Sequence, residues 1–173
     1  MTEGTVELVT RSPEETRAMA AAFSTLCRPN DVIGLQGVLG AGKTCFVKGL
    51  AAGLGVGDDR LVVSPTFVLL RRYPGRLTLY HFDAYRLRSA AQMDEIGCAE
   101  TFESRGVSVV EWADRVAECL PPDCFMLTIA VTGPTDRRFL LTACGPRATE
   151  RLGEFAQALA AWRGSPRGLA SRG

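Results

Sequence analysis

Eight consecutive residues in the first third of the chain, Gly37–Thr44, match the pattern G-x-x-x-x-G-K-[ST] in full. The glycines allow the backbone to curl so that successive N–H groups point at one anion, and a following helix adds its positive end. Lys43 is placed to bring a charge to the β- and γ-phosphates of a nucleotide, and the Thr44 hydroxyl to ligate Mg²⁺. The sequence therefore predicts a nucleotide site whose loop contacts are Gly37, Leu39, Gly40, Ala41, Gly42, Lys43, Thr44 and Cys45.

The segments on either side of this loop agree with that interpretation. An apolar strand-like run, Asp31–Gln36, precedes it, and Lys43–Leu54 has the apolar spacing of a helix. The alternative, a glycine-rich turn with an incidental lysine, is weaker because one of only two lysines falls at the required position. Guanine is usually recognised by an N-K-x-D segment, and the single asparagine, Asn30, is followed by Asp31. Adenine is therefore the expected base.

Two acidic residues stand at the ends of apolar strands, where a carboxylate near a bound metal belongs in an open α/β sheet. Asp83 follows Leu79–Phe82, and Glu111 follows Val107–Val110. Phosphoryl transfer needs such a carboxylate and a group that orients water. Thr66 is a candidate switch residue that senses a γ-phosphate through Mg²⁺. Taken singly, each acid could equally be a surface charge, and Thr66 an ordinary turn residue.

The elements that must position these residues alternate between strands and helices. The predicted strands are Thr5–Thr10, Asp31–Gln36, Phe67–Tyr73, Leu77–Phe82, Val107–Val110, Phe125–Val131 and Arg137–Ala143. The first helix follows Ser12, with Glu15 completing a capping box, and Thr149 is the expected cap of the last helix. We expect an α/β fold, a single-domain P-loop NTPase with a mixed β-sheet flanked by helices. The domain would span residues 1–163, followed by a disordered tail at 164–173.

Composition excludes several classes of protein. A net charge of +1 with 46% hydrophobic residues is not that of a broadly basic nucleic-acid binder. No run approaches the roughly 18 apolar residues of a membrane helix, and the N-terminal segment lacks the pattern of a signal peptide. We therefore expect a cytoplasmic protein with no membrane association, whose six cysteines are reduced and structural. Zinc is not expected, because His81 is the only histidine that could join the cysteines.

Four motifs taken together resemble the TsaE (YjeE) family, the small bacterial ATPases of tRNA threonylcarbamoyladenosine synthesis. They are Gly37–Thr44, Ser64–Phe67, His81–Leu87 and Val109–Trp112, in that order, and the resemblance covers about residues 5–160. It implies slow hydrolysis of ATP with Mg²⁺ in support of a TsaB–TsaD complex. That complex places threonylcarbamoyl on an adenosine of tRNA. The resemblance also implies that this chain does not transfer the group and contacts tRNA only weakly or indirectly.

The resemblance also implies roles by motif position. Lys43 would hold phosphates and Thr44 the metal. Asp83, Glu111 and Thr66 would be the catalytic residues, with Thr66 as the switch. Thr44, Glu111 and Asp83 are the expected metal ligands, since which acid binds the ion and which positions water is left open.

Three further contacts and two departures accompany the resemblance. Trp112 would lie beside the site, Arg137 would contact the nucleotide, and Ser12 would lie near the adenine. Cys45 stands where many relatives have a second hydroxyl residue. The pair Arg71-Arg72 replaces a more acidic hairpin, which affects the expected partner or tRNA surface and leaves ATP binding unaffected.

Two other functions stay open from sequence alone. A small-molecule P-loop kinase would need an acceptor pocket and an arginine-bearing lid, and no such segment is evident between Gly53 and Arg76. A nucleotide-dependent binding switch with incidental hydrolysis would share the same motifs, so the sequence does not separate it from a partner-gated ATPase.

Overall fold

A computed structural model describes residues 4–164 of the chain. The strands are β1 (Thr5–Thr10), β2 (Asp31–Gln36), β3 (Leu70–Tyr73), β4 (Leu79–Asp83), β5 (Val107–Glu111), β6 (Cys124–Val131) and β7 (Arg137–Cys144). The helices are α1 (Pro13–Ser24), α2 (Lys43–Gly53), α3 (Ala90–Glu95), α4 (Cys98–Phe102) and α5 (Pro146–Gly164), with 3-10 segments at Asp59–Leu61 and Ala113–Cys119.

The strands form one mixed sheet in the order β1-β7-β6-β2-β5-β4-β3. Strands β4, β5, β2 and β6 run parallel, β3 and β7 run antiparallel to them, and β1 is antiparallel to β7. The carboxyl ends of β1, β2, β4, β5 and β6 therefore share one edge with the amino ends of β3 and β7. The expected mixed sheet flanked by helices in a single domain is confirmed, and every predicted site residue lies near this edge.

The core has two parts because side chains alternate between the faces of the sheet. In β2, Val32 packs on one face, while Ile33 and Leu35 pack on the other. The latter face is covered by α1, α2 and α5, where Phe23 and Phe155 stack with ring centroids 4.3 Å apart. The opposite face is covered by α3, α4 and the second 3-10 segment.

Helix α1 begins where the sequence predicts. The Ser12 hydroxyl accepts a hydrogen bond from the backbone N–H of Glu15 at 3.1 Å. The Glu15 carboxylate accepts from the N–H of Arg11 at 2.5 Å, one residue before the position that a capping box normally uses. Both interactions satisfy N–H groups near the start of the helix, at the same edge of the sheet as the phosphate loop.

The prediction that Thr149 caps the last helix is wrong. Helix α5 begins at Pro146, and the Asp123 carboxylate accepts from the N–H groups of Arg147 at 2.8 Å and Ala148 at 3.2 Å. The cap is thus supplied by a side chain that precedes β6, far from the helix in sequence. A local capping pattern could not identify it.

The remaining predicted elements differ mainly at their ends. Strands β3 and β4 begin at Leu70 and Leu79, two or three residues later than predicted. Helices α3 and α4 are separated by Gly97, which has a left-handed φ of 72°. Of the predicted tail at 164–173, all but the first residue lies outside the described residues. Within residues 4–164, no helix combines the length and apolarity needed to cross a membrane.

Helices α1 and α2 approach closely because α2 presents glycine to α1. A Cβ at Gly49 would lie 2.8 Å from the Cβ of Ala20 and would also collide with the carbonyl oxygen of Arg17. A Cβ at Gly53 would collide with the Ser24 hydroxyl. The contact fixes α2 against α1, and with it the loop that precedes α2.

We predict that Gly49→Ala destabilises the protein by about 1–3 kcal/mol, because the added methyl forces the two helices apart. The matched control is Gly153→Ala, an exposed position in α5 with nothing within 4 Å of the new Cβ. The control should be neutral or stabilising by up to about 1 kcal/mol, the difference in helix propensity. Urea denaturation measures both, and equal stability of the two variants would contradict the close contact.

Candidate functional site

The segment Gly37–Thr44 forms the loop between β2 and α2. All three of its glycines have positive φ, 151° at Gly37, 77° at Gly40 and 105° at Gly42. These are conformations in which a Cβ would be strained. Gly42 is the N-cap of α2 and offers no side chain, so the first N–H groups of the helix are not capped by it. This is the backbone arrangement that binds anions.

The Lys43 side chain folds back along the loop. Its Nζ donates to the carbonyl oxygens of Gly37 at 2.6 Å and Val38 at 3.0 Å, and lies 3.6 Å from the centroid of the Trp112 ring. Burial lowers the pKa of Lys43, and the carboxylate of Glu111 acts in the opposite direction. The ammonium group is therefore held against the loop by two carbonyl oxygens and an aromatic ring.

The Glu111 carboxylate lies at the centre of the site and is 3% exposed. Its Oε1 accepts a hydrogen bond from the Thr44 hydroxyl at 2.9 Å and lies 2.8 Å from His81 Nε2. An ionised carboxylate has no hydrogen to donate, so Nε2 of His81 carries the hydrogen in this pair. Because the Thr44 hydroxyl donates its hydrogen to Glu111, its oxygen lone pairs are left for a cation.

Asp83 pairs directly across from Glu111 in the parallel strands β4 and β5, and is also 3% exposed. Its Oδ2 accepts from the hydroxyls of Ser64 and Thr66, the latter at 2.8 Å. Its Oδ1 accepts from the backbone N–H of Tyr85 at 2.8 Å. The structure therefore brings both candidate acids and the candidate switch threonine together.

These groups surround one cavity of about 370 Å³ at the carboxyl edge of the sheet. The residues that line it are Leu39, Gly40, Ala41, Gly42, Lys43, Thr44, Cys45, Ser64, Thr66, Asp83, Tyr85, Glu111 and Trp112. Gly37 is not among them, although its carbonyl oxygen receives Lys43. Loop N–H groups, one ammonium and two carboxylates form a set that suits a phosphate bound together with a divalent cation.

Trp112 occupies an unusual backbone conformation for a bulky residue. Its φ of 60° lies in the left-handed region, which costs about 1–3 kcal/mol for residues other than glycine. The turn follows Glu111 directly and brings the indole beneath Lys43, with the Tyr85 ring 5.0 Å away. The aromatic pair thus forms one wall of the cavity. That Trp112 contacts a nucleotide stays a prediction.

Arg137 contacts the loop from outside the main cavity. Its Nε donates to the carbonyl oxygen of Ala41 at 2.8 Å, and Nη2 donates to that of Gly40 at 3.2 Å. Its Nη1 donates to the carbonyl oxygens of Gly133 and Asp136. The guanidinium therefore joins the phosphate loop to the turn between β6 and β7. That Arg137 also contacts a nucleotide stays a prediction.

Ser12 does not line the main cavity, and its hydroxyl caps α1. The next residue, Pro13, lines a smaller cavity of about 110 Å³ that adjoins the loop and is also bordered by Cys45 and Arg137. Cys45 borders both cavities, and its Sγ donates to the carbonyl oxygen of Pro13 at 3.4 Å. Ser12 is therefore adjacent in sequence to a residue of the smaller cavity and not to one of the main cavity.

Sequence reasoning assigned no role to three residues of the site, Ser64, His81 and Tyr85. All three lie in the motifs Ser64–Phe67 and His81–Leu87, so their positions were marked. Their partners depend on the pairing of β4 with β5 and on the fold of the preceding loop. Composition gave one further signal for His81, since it is the chain's only histidine.

Comparison with known proteins identifies relatives of this chain. The sequence model of the family described as "Threonylcarbamoyl adenosine biosynthesis protein TsaE" matches residues 10–139. The chain is 42% identical over 139 residues to the tRNA threonylcarbamoyladenosine biosynthesis protein TsaE of Bacillus subtilis, covering 80% of this chain and 85% of that protein. The protein of that name from Treponema pallidum is 45% identical over 129 residues, covering 75% and 94%.

A solved structure is similar as well. The crystal structure of Bacillus subtilis YdiB has a TM-score of 0.76 and 36% sequence identity, and the match covers 88% of this chain and 95% of that one. The range of the family match contains the phosphate loop, both buried acids and Arg137. The chain therefore belongs to the TsaE family.

Proposed function

We propose that this chain is a Mg²⁺-dependent ATPase that supports tRNA threonylcarbamoyladenosine synthesis by acting on a TsaB–TsaD complex. The observation that carries the proposal is that the phosphate loop and two buried carboxylates, Asp83 and Glu111, open onto one cavity. The name of the relatives indicates the process, and the residues of the cavity suit nucleotide hydrolysis. Hydrolysis would gate or reset the partner complex, with the threonylcarbamoyl transfer carried out there.

The donor set of the cavity fits magnesium. Thr44, Glu111 and Asp83 offer only oxygen atoms, which are the ligands that Mg²⁺ prefers. The hydrogen bond from Thr44 to Glu111 supports this assignment, because it directs the hydrogen of the hydroxyl away from a cation. When bound, the ion would neutralise charge on the phosphates as the terminal bond breaks.

The chain's own residues would orient the attacking water. We assign this task to Asp83, whose carboxylate can accept a proton from water, while Glu111 stays engaged with Thr44 and His81. The Thr66 hydroxyl now donates to Asp83 Oδ2, as the Ser64 hydroxyl does, so a γ-phosphate that attracts Thr66 would remove one of the two hydrogen bonds on this oxygen and make room for water. Thr66 would thereby couple recognition of the γ-phosphate to the catalytic base.

Nucleotide binding would redirect Lys43 from two loop carbonyl oxygens to the phosphates, beside the Trp112 ring. The smaller cavity bordered by Pro13 and Arg137 adjoins the loop, and we assign it to the adenine end of the nucleotide. Ser12 would then act there through the start of α1, which it caps.

The exposed side chains around the site favour the proposal that it binds a protein partner. Four large apolar side chains are well exposed near the loop and the switch segment: Val38 (63%), Leu39 (77%), Phe67 (83%) and Val68 (58%). Groups of large apolar side chains that stay exposed often mark a surface that binds another protein. A net charge of +1 favours weak or indirect contact with tRNA. Such a role places the chain in the cytoplasm.

Lys43→Ala should weaken ATP binding by about 10- to 150-fold, because a charge-assisted hydrogen bond contributes about 1.5–3 kcal/mol. The control is Lys48→Ala, which removes the chain's only other lysine and should bind ATP as the unaltered protein does. Isothermal titration calorimetry with a non-hydrolysable ATP analogue measures both affinities. If Lys43→Ala binds the analogue with unchanged affinity, the assignment of Gly37–Thr44 as the phosphate-binding loop is wrong.

Asp83→Asn and Glu111→Gln should lower ATP turnover by about 100-fold or more, because each removes charge from the position that stabilises the transition state. Nucleotide affinity should change much less. The control is Glu154→Gln, an exposed carboxylate paired with Arg28. Release of inorganic phosphate is the measurement, since a kinase would pass the phosphoryl group to another acceptor. If both variants hydrolyse ATP at the rate of the unaltered protein, the two acids have no part in catalysis.

The partner role predicts that purified TsaB–TsaD binds this chain more tightly with ATP than with ADP or no nucleotide, and accelerates phosphate release. The physical reason is that a partner which orders the Ser64–Phe67 loop favours the state that also binds ATP, and such coupling is reciprocal. Val68→Asp, an exposed residue outside the cavity lining, should weaken the complex while leaving basal hydrolysis intact. Equal binding in all three nucleotide states, with unchanged hydrolysis, would contradict gating.

A binding switch and a gated ATPase differ in whether repeated tRNA modification requires ATP hydrolysis. In a tRNA modification assay, a switch that only binds would support many rounds with a non-hydrolysable analogue. A gated ATPase would support one round with the analogue and many with ATP. The comparison of single and multiple rounds therefore decides between the two functions.

A further inference from the structure

A second group of potential ligands lies outside the nucleotide site, on the face of the sheet covered by α3 and α4. Asp94, Cys98 and Cys119 place one carboxylate oxygen and two sulfur atoms within 4.8 Å of one another. Asp94 lies in α3, Cys98 is the first residue of α4, and Cys119 is the last residue of the second 3-10 segment. Three segments of the chain therefore meet at a cluster that the proposed ATPase mechanism does not use.

The fold creates this cluster through a sharp helix break. Gly97, with its left-handed φ of 72°, separates α3 from α4 and lets Cys98 turn back, so that its Sγ donates to Asp94 Oδ1 at 3.5 Å. The Cys119 Sγ donates to the carbonyl oxygen of Ala90 at 3.2 Å. Cys98 is buried and Asp94 is exposed, so the cluster has one side towards solvent. Cys119 also borders a cavity of about 440 Å³, so its side chain can be reached from that side as well.

The charge of the cluster favours a cation. The Asp94 carboxylate lies within 4.8 Å of both sulfur atoms. A carboxylate beside two thiols is a set of donors that binds divalent cations.

We propose that Asp94, Cys98 and Cys119 bind a zinc ion, with water as the fourth ligand. Cysteine sulfur and carboxylate oxygen are established zinc donors in four-coordinate sites, and thiolates select zinc over magnesium. Zn–S and Zn–O distances of about 2.3 and 2.1 Å require ligand atoms about 3.5–3.8 Å apart, so small side-chain rotations close the cluster around the ion. Each bound ion displaces two thiol protons, which pass to solvent.

The ion would join α3, α4 and the end of the segment that begins directly after Trp112. Its role would be to hold the second face of the sheet together, with no part in hydrolysis. The sequence did not suggest zinc because a histidine was sought beside the cysteines, and the third ligand here is an aspartate. The proposal stands independently of the ATPase function.

The test uses the full-length chain, reduced and freed of metal by a chelator, in excess Mg²⁺ so that oxygen sites are filled. Titration with Co²⁺ should give one equivalent of thiolate-to-cobalt charge-transfer absorption with tetrahedral d–d bands, which Zn²⁺ then abolishes. Cys98→Ser, Cys119→Ser and Asp94→Asn should each weaken binding, the two cysteine variants by about 100-fold or more. Zinc should raise Tm by about 5–10 °C at a concentration about 100 times Kd.

The matched control is Cys124→Ser/Cys144→Ser, which removes another pair of neighbouring free thiols, opposite each other on β6 and β7. This variant should keep the full cobalt spectrum and the zinc-dependent rise in Tm. Asp94 is exposed, so Asp94→Asn guards against loss of fold in the cysteine variants. The proposal is overturned if the thiolate band is missing, if it survives in Cys98→Ser and Cys119→Ser, or if it disappears in the control.

Discussion

The burial of one carboxylate is the constraint on which the candidate site depends. Glu111 ends a strand that is buried along its whole length, and an ionised carboxylate removed from water needs hydrogen-bond donors. Its donors are Thr44, in the first turn of α2, and His81, on β4. Since the carboxylate and its two donors come from three different elements, the carboxylate is satisfied only when the helix and both strands are correctly packed. The phosphate loop is thereby tied to the sheet.

Parallel pairing extends this arrangement to the second acid. Asp83 stands opposite Glu111 and holds the hydroxyls of Ser64 and Thr66. The phosphate loop and the switch segment are thus linked through two carboxylates on adjacent strands. Thr44 is hydrogen-bonded to Glu111 and Thr66 to Asp83, so the loop and the switch segment are joined through the pairing of β4 with β5. A nucleotide in the cavity that contacted both the phosphate loop and Thr66 would connect them a second time.

Sequence patterns within short segments predicted those parts of the fold whose conformation depends on neighbouring residues in the chain. The loop was predictable because its three glycines and Lys43 lie within eight consecutive residues. Thr149 misled because the cap of α5 comes from Asp123, whose proximity depends on tertiary packing. The same reason hid the pairing of His81 with Glu111, and the meeting of three segments at the cysteine cluster. Register and long-range contacts are not encoded in any one segment.

The hydrogen bond from Arg137 to the carbonyl oxygen of Ala41 has a consequence for how the phosphate loop binds an anion. A peptide plane directs its N–H opposite to its C=O, so anchoring this carbonyl aims the N–H of Gly42 the other way. The conformational entropy of that peptide is therefore lost when the chain folds, and little of it is left to lose when an anion arrives. The readiness of the loop to bind an anion therefore depends on the β6–β7 hairpin, although no residue of β6 or β7 lines the main cavity.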